Sequence, residues 1–384
     1  MSTLRRPLAT LLVESAAGDR SGEHLPANLD ARQLLKAGRM HRVLPALRRR
    51  LHGCPEASEW MPILDAQRHQ QLLRHMQAGH DLGRVARAFA TAGVRWAVSK
   101  GPVLSDTVWP HPDMREYTDV DVFVHPADFA PALASLEASG FCLVDRNWPE
   151  MRRLSRAEMA MSGPSGFPLD LHWDIAVTPR ARSTFRIDLP EMLERTELIT
   201  LGTGVTVPVF DPGDLLLHVA FHAAQNGANR LVWIADVLHA ALNPAVDWQR
   251  FAADALRTRV ATPVSMVLER VERTFDVVLP TPPKLRAVAA SLSGRAARLR
   301  DASRPFPGLP DDPGLSGLEF SSARDSALGS LGSALWQWAD VRRIEAQVRR
   351  SGTAANPLDE DIPDAAARRA YLNAVREAAP VTAS

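Results

Sequence analysis

The stretch Thr118-Asp119-Val120-Asp121-Val122-Phe123-Val124 decides the reading of this chain. Strict alternation predicts a β-strand here, because successive side chains of a strand point to opposite faces. Val120, Val122 and Val124 share one face, and Asp119, Asp121 and Phe123 share the other. Two carboxylates so spaced lie ~5–7 Å apart. At an effective dielectric of ~20, two like charges ~5 Å apart repel by roughly 3 kcal/mol. Either both acids point into bulk water from an exposed edge strand, or a positive charge sits between them. A divalent cation such as Mg2+ suits the second arrangement, since it takes oxygen ligands from one or two carboxylates together with substrate phosphates.

Upstream of this strand, Ile63 to Ala92 carries a helical pattern that Gly93 ends. Val94 to Ser99 reads as a short strand, Lys100-Gly101-Pro102 breaks it, and a short segment, Val103 to Val108, follows. Downstream, Pro126 opens a helix through Leu133 and Leu136 that Gly140 closes, and Phe141 to Val144 is the next strand. A strand pair is expected over Glu158 to Ser162 and Phe167 to Ile175, joined by a turn at 163–166. In its second strand Asp170, His172 and Asp174 share a face. Leu198 to Leu201 and Val205 to Phe210 read as a hairpin around Gly202-Thr203-Gly204. Strand, turn, strand, helix, strand is the core of a small α/β unit.

Helical patterns flank that core. Residues 1–92 form an N-terminal helical region, in which Asp30 caps a helix through Leu34, Leu35, Met40 and Val43. The core covers 93–211, and a C-terminal helical domain covers 212–303. Its helices are expected at Asp214 to Gln225, Asn229 to Leu242, Asp247 to Leu256, Pro263 to Phe275 and Pro283 to Leu299. Residues 304–330, rich in Pro, Gly, Ser and Asp, read as a loop or flexible linker. Residues 331–384 form C-terminal helices and a tail, with an amphipathic helix from about Leu331 to Arg349.

Composition narrows the classes of function. The chain has 384 residues, 46% hydrophobic and 23% charged, which excludes wholesale disorder and collagen-like repeats. Lys+Arg is 45 against 44 Asp+Glu, so the overall balance announces no nucleic-acid or membrane partner. Cys54 and Cys142, the two cysteines, form no Cys-x-x-Cys pair and support neither a thiol-ligated zinc site nor a disulfide framework. The apolar run Leu8 to Val13 meets Glu14 too soon for a signal-peptide core, and no stretch reaches the ~18 apolar residues that span a bilayer. A soluble cytoplasmic protein is expected.

Lysine usage points back to the strand. The chain has three lysines, Lys36, Lys100 and Lys284, and arginine everywhere else. Lys100 at a bend beside Gly101 is therefore a selected residue, a compact charge next to a backbone that can approach a phosphate closely. Asp170 offers a third carboxylate, which completes the minimum set for two-metal phosphoryl or nucleotidyl transfer. Asp174 is the alternative third acid.

These residues together resemble a known group. Lys100-Gly101, Arg115 leading into Thr118-Asp119-Val120-Asp121-Val122-Phe123-Val124, Gly140-Phe141 and Leu169-Asp170-Leu171-His172-Trp173 are similar to the bacterial nucleotidyltransferase-like family, within the polymerase-beta nucleotidyltransferase superfamily. The downstream helices, Asp214-Leu-Leu-Leu-His218 with His222 and Arg230-Leu-Val-Trp233-Ile-Ala-Asp236, are similar too. The resemblance covers about residues 60 to 245. It implies an α+β fold: a small mixed-sheet polymerase-beta-type core flanked by N-terminal helices and a C-terminal helical domain. It implies transfer of a nucleoside monophosphate from an NTP, with Mg2+ (or Mn2+), to an acceptor. Asp119 and Asp121 match the metal-binding pair, and Asp170 matches the third carboxylate. The superfamily's Gly-Ser at the phosphate turn is Lys100-Gly101-Pro102 here, with Ser99 or Ser105 as possible substitutes for the serine.

On this reading Lys100 and the Gly101 amide hold the β/γ-phosphates, and Arg115 stabilises phosphate charge or orders the Asp strand. His172 orients Asp170, contacts substrate or makes a structural hydrogen bond. His218 and His222, with Asp214 one turn earlier, lie on one helical face that lines a nucleotide or acceptor pocket, binds metal or simply packs. Arg230 is a phosphate or acceptor contact, and Trp233 packs in the core or stacks on a base. The acceptor is a small molecule or peptide before a tRNA, because no basic stripe is present. Two other functions are open: a catalytically inactive fold that serves as a binding or assembly module, and a metal hydrolase built on His218, His222 and Asp236.

Overall fold

A computed structural model describes residues 6–18, 25, 29–303, 306–308, 317–351 and 356–378. The chain divides into two compact units that interleave in sequence. A helical unit takes Met1–Leu72, Leu104–Tyr117 and Pro212–Arg350, and a strand unit takes Leu73–Val103, Thr118–Asp211 and Ser351–Ser384. The architecture is α+β: a seven-stranded mixed sheet and many helices.

The strand unit holds β1 (Trp96–Val98), β2 (Val120–Val124), β3 (Cys142–Leu143), β4 (Glu158–Ser162), β5 (Pro168–His172), β6 (Glu197–Thr200) and β7 (Thr206–Val209). Their order across the sheet is β3-β4-β5-β2-β1-β7-β6. β2 therefore lies in the interior, antiparallel to β1 and parallel to β5. All five of its residues are buried. This removes the exposed edge strand as an explanation of the Asp-x-Asp pattern. The valines of β2 are fully covered, as expected of a strand enclosed on both faces.

Local chemistry sets the bends around β2. Gly93 (φ +65°) ends the helix Met61–Ala92 before β1. After β1, Ser99 N–H donates to Asp121 O at 3.2 Å, so the chain leaves β1 still pinned to β2. Gly101 then takes φ +51°, and a Cβ at this position would stand 3.1 Å from Asp119 O. The segment after Lys100, not assigned from the sequence pattern, is a short helix, Gly101–Thr107. β4 and β5 pair as expected through the 163–166 turn, in a register that sets Glu158 opposite His172 and Ala160 opposite Asp170. β5 ends at His172, earlier than the expected Ile175, because Asp174 Oδ1 accepts the Ala176 N–H at 2.8 Å and turns the chain. The last helix, Ala365–Glu377, belongs to this unit: Trp173 Nε1–H donates to Tyr371 Oη at 3.0 Å, and Tyr371 O–H donates to Arg156 O at 2.8 Å.

In the helical unit, the expected helices form over Ala31–His41, with Asp30 accepting the Gln33 N–H, and over Pro212–Gln225, Leu231–Ala241, Trp248–Arg257 and Ala261–Phe275. Pro212–Gln225 and Leu231–Ala241 are buried over nearly their whole length and form its core. The single helix expected over Pro283 to Leu299 is two, Pro283–Ala289 and Leu292–Ser303. The break brings the backbone so close that a Cβ on Gly294 would overlap the Ala289 carbonyl. Within 304–330, residues 304–305 and 309–316 lie outside the described residues, while Leu318–Ser321 is helical. The late amphipathic helix runs Ala327–Ser351.

Candidate active site

Four polar side chains and one aromatic ring meet on the strand unit's sheet. Asp121 on β2 and Asp170 on β5 are partners in register on adjacent parallel strands, so their side chains leave the same face side by side. Two residues on, Phe123 and His172 are partners in the same way, and their rings stack with centroids 4.6 Å apart. His172 Nε2 lies 3.2 Å from Asp121 Oδ1. Lys100 Nζ reaches the same oxygen at 2.8 Å. Asp121 and His172 are 4% and 5% exposed and so desolvated, while Asp170 and Lys100 are half-buried. One donor atom each from Asp121, Asp170 and His172 lies within 4.8 Å of the others, spacing that a single metal ion can bridge.

The charges are unbalanced. Burial acts to raise the Asp121 carboxyl, but the Lys100 charge and the His172 hydrogen bond outweigh it and hold the group well below the usual carboxylate range. Asp170 goes the other way: burial, with the Asp121 and Asp119 charges adding to it, pushes its carboxyl up to about 6. Two buried atoms, Asp121 Oδ2 and His172 Nδ1, have no hydrogen-bond partner among the described residues. Buried polar atoms are normally satisfied, so an orphaned carboxylate oxygen beside two further donors marks a place where a cation fits.

Asp119 stands one residue before β2, half-buried, with Thr118 Oγ1–H donating to it at 3.4 Å. It acts on Asp170 through its charge. Glu158 was not singled out from the sequence, although the 163–166 turn and the lengths of β4 and β5 fix its register opposite His172. Its Oε2 lies 3.9 Å from His172 Nδ1, and its other oxygen pairs with Arg156. Asp174, the alternative third acid, uses its carboxylate on the Ala176 amide and does not join Asp121.

The remaining candidates lie in the helical unit. Arg115 is buried there, with Nε and Nη2 donating to Asp236 Oδ1 and Oδ2 at 2.7 and 2.9 Å. Trp109 Nε1–H donates to the same carboxylate at 2.7 Å. The guanidinium is thus engaged by Asp236, and we do not place it at a phosphate. The same contacts take Asp236 away from the His218/His222/Asp236 hydrolase. Among the described residues, the grouping with metal-ligand spacing is Asp121, Asp170 and His172. His218 is buried with its ring 6.4 Å from that of His222. His222 meets the Trp233 ring edge-on at 5.7 Å, and the Arg230 guanidinium lies over that ring at 5.0 Å. Arg230, Trp233 and His222 therefore form one stacked cluster.

A mixed sheet carrying paired acids on adjacent strands, with helices flanking it, is consistent with a nucleotidyltransferase core. A family model described as "Uncharacterised nucleotidyltransferase" matches residues 27–276. That match spans more than half of the chain, and the protein belongs to this family. A search of curated proteins gives no match. No helix among the described residues is long and apolar enough to cross a membrane.

Proposed function

We propose that this protein is a metal-dependent nucleotidyltransferase of the polymerase-beta type, which transfers a nucleoside monophosphate from an NTP to an acceptor hydroxyl or similar nucleophile. The observation that carries this reading is the pairing of buried Asp121 with half-buried Asp170, in register on parallel strands beside Lys100. The donor set fits a divalent cation: two carboxylates, an imidazole and an orphaned carboxylate oxygen. A bound Mg2+ or Mn2+ supplies charge neutralisation to the triphosphate and its leaving group. Asp121 and Asp170 hold it, with Asp119 as a further carboxylate at the entrance to β2.

The acceptor oxygen bonds to the α-phosphorus, the bond from that phosphorus to the α–β bridging oxygen breaks, and pyrophosphate leaves. Asp170, kept ionised by the neighbouring cation, takes the acceptor's proton, directly or through water. Lys100, the one lysine at the site, and the Gly101 backbone hold the β/γ-phosphates. For the acceptor, Arg298 and Arg300 pair with Glu269 and Glu319, which favours a small molecule or peptide over a long nucleic acid.

The test is incubation with each α-labelled NTP and Mg2+ or Mn2+ in a cell extract. Label on an acceptor, with pyrophosphate released and both lost in Asp121→Asn and Asp170→Asn, is the expected result. A second reading also has an observation behind it: the Lys100 ammonium stands where a cation would touch Asp121. In an inactive nucleotide-binding module that ammonium would replace the ion permanently. NTP binding that is indifferent to metal, without label transfer, would favour that reading.

A further inference from the structure

The donor set contains a nitrogen, and the strand beyond it supplies that nitrogen's support. We infer that His172 is a metal ligand through Nε2, oriented by Glu158 at Nδ1, and that the site consequently prefers a first-row transition cation such as Mn2+ to Mg2+. This rests on the metal-dependent reading above.

Ligand atoms about 2.1–2.2 Å from one ion and at right angles stand about 3 Å apart. His172 Nε2 and Asp121 Oδ1, at 3.2 Å, already hold that spacing. The ring cannot easily turn away, because it is stacked on Phe123 and buried. Its far nitrogen is an orphan, and the group facing it is a carboxylate, Glu158 Oε2 at 3.9 Å, placed by the pairing of β4 with β5. Carboxylate, histidine and metal in line is the arrangement that fixes the tautomer of a ligating imidazole and raises its basicity. When a cation takes the place of the Nε2 proton shared with Asp121 Oδ1, the imidazole's remaining proton sits on Nδ1 toward Glu158 and the Nε2 lone pair is free to ligate. Mg2+ is a hard ion that favours oxygen, whereas imidazole suits transition cations. Lys100 Nζ shares Asp121 Oδ1 with His172, so it holds the cation's place in the metal-free protein and must yield that oxygen when the ion enters.

The experiment uses the full chain and Mn2+ alone, without nucleotide. Electron spin-echo envelope modulation on bound Mn2+ is expected to show one directly coordinated 14N, and Mg2+ is expected to displace Mn2+ only at a concentration at least tenfold higher. His172→Gln should lose the 14N modulation. Glu158→Gln should keep it while binding Mn2+ about 10–100-fold more weakly, the loss expected for a partner outside the ligand shell. Bound Mn2+ with no 14N modulation in the native protein, Mg2+ competing on equal terms, or no Mn2+ binding at all would each overturn the inference, and none of these readouts needs the variants to fold. Label transfer that proceeds with Mg2+ in a protein without 14N modulation would refute the nitrogen ligand alone and leave nucleotidyl transfer standing. A clear 14N signal in a protein that transfers no label would do the reverse.

Discussion

Replacing Lys100 with methionine asks whether an ammonium and a metal ion compete for one oxygen. Lys100 Nζ lies 2.8 Å from Asp121 Oδ1, with side-chain exposures of 14% and 6%. At an effective dielectric of ~20 and a separation of ~3 Å, the Coulomb attraction is about 5 kcal/mol. Desolvation of both groups offsets much of that, but the substitution leaves Asp121 buried with its partner gone. Removing one member of a buried pair costs about 3–5 kcal/mol. Because the lysine end is wetter than the aspartate end, the lower figure applies, about 3 kcal/mol. That corresponds to roughly a 100-fold larger opening equilibrium, since each 1.4 kcal/mol is a factor of about ten.

Hydrogen exchange read by mass spectrometry on peptides covering β2 and β5 isolates this effect from the helical unit. In EDTA the Lys100→Met protein should exchange those amides roughly 100-fold faster than the native protein, as the figure above requires. With saturating Mn2+ the difference should shrink to a few-fold, because the cation then stands against Asp121 in both proteins. An equal difference with and without the ion would show that the two cations do not share Asp121. No difference in EDTA would show that the ion pair contributes little, and the account of the site's charge would have to be abandoned.

Three further outcomes follow from other parts of the structure. Asp236→Ala leaves the buried Arg115 guanidinium and the Trp109 N–H without their carboxylate, and should destabilise the helical unit by about 3–5 kcal/mol in urea denaturation; a loss below about 1 kcal/mol would refute the weight given to that pair. Gly101→Ala forces a side chain into φ +51°, at a cost of about 1–2 kcal/mol, and presses its Cβ on Asp119 O; calorimetry should find Mn2+ affinity reduced, and an unchanged affinity would separate this bend from the site. His41, fully buried with its Nδ1 accepting the Leu231 N–H, has its pKa lowered by burial from 6.5 to about 3. Its folded pKa lies below its unfolded one, so its contribution is intact above about pH 6.5 and lost progressively as pH falls toward 3, by about 1.4 kcal/mol per unit. Denaturation midpoints at pH 7 and pH 5 should therefore differ less in His41→Gln than in the native protein, and an equal difference would count against the buried neutral imidazole.

The part of this structure that could be read in advance was the part governed by local periodicity. Alternation in 118–124 located β2 within a residue, and the 163–166 turn paired β4 with β5. From those two strands the Asp121–Asp170 neighbourhood follows, given that they adjoin. What local pattern cannot carry is the partner of a buried charge. Arg115 precedes the Asp-x-Asp strand by a few residues and invites a role at phosphate, yet it pairs with Asp236, 121 positions away. Asp174 shares the alternation of β5 on paper, and a two-residue Asx turn removes it. Tyr371, which anchors the last helix to Trp173 across 198 positions, gives no local sign of that contact. Glu158 is a different case: counting back across the 163–166 turn sets it opposite His172, so its place was legible in the sequence.

On the proposed function, the charges around Asp121 also constrain the order in which ligands arrive. Asp121 and Glu158 flank His172, Asp170 and Asp119 stand near Asp121, and the cations set against these four acids are Lys100 and Arg156. Arg156 is held by Glu158, and Lys100 by Asp121, so neither stands ready for a phosphate while those pairs last. The Asp170 carboxyl is raised chiefly by burial, and the Asp121 and Asp119 charges add to that rise. A triphosphate brings several negative charges, and in a buried, weakly screened site it would meet repulsion without compensation. A divalent cation taken up first, or carried in on the phosphates, reverses that sign. Asp121 and Asp170 would be neutralised by holding it, and Lys100, freed from the Asp121 oxygen, would turn toward the incoming β/γ-phosphates. On the proposed function Lys100 would have two successive partners, the carboxylate before the cation enters and the phosphate afterwards. One of only three lysines in a chain otherwise built on arginine, Lys100 suits that role, because a compact ammonium on a flexible stem can change partners where a planar, bidentate guanidinium would stay with the carboxylate.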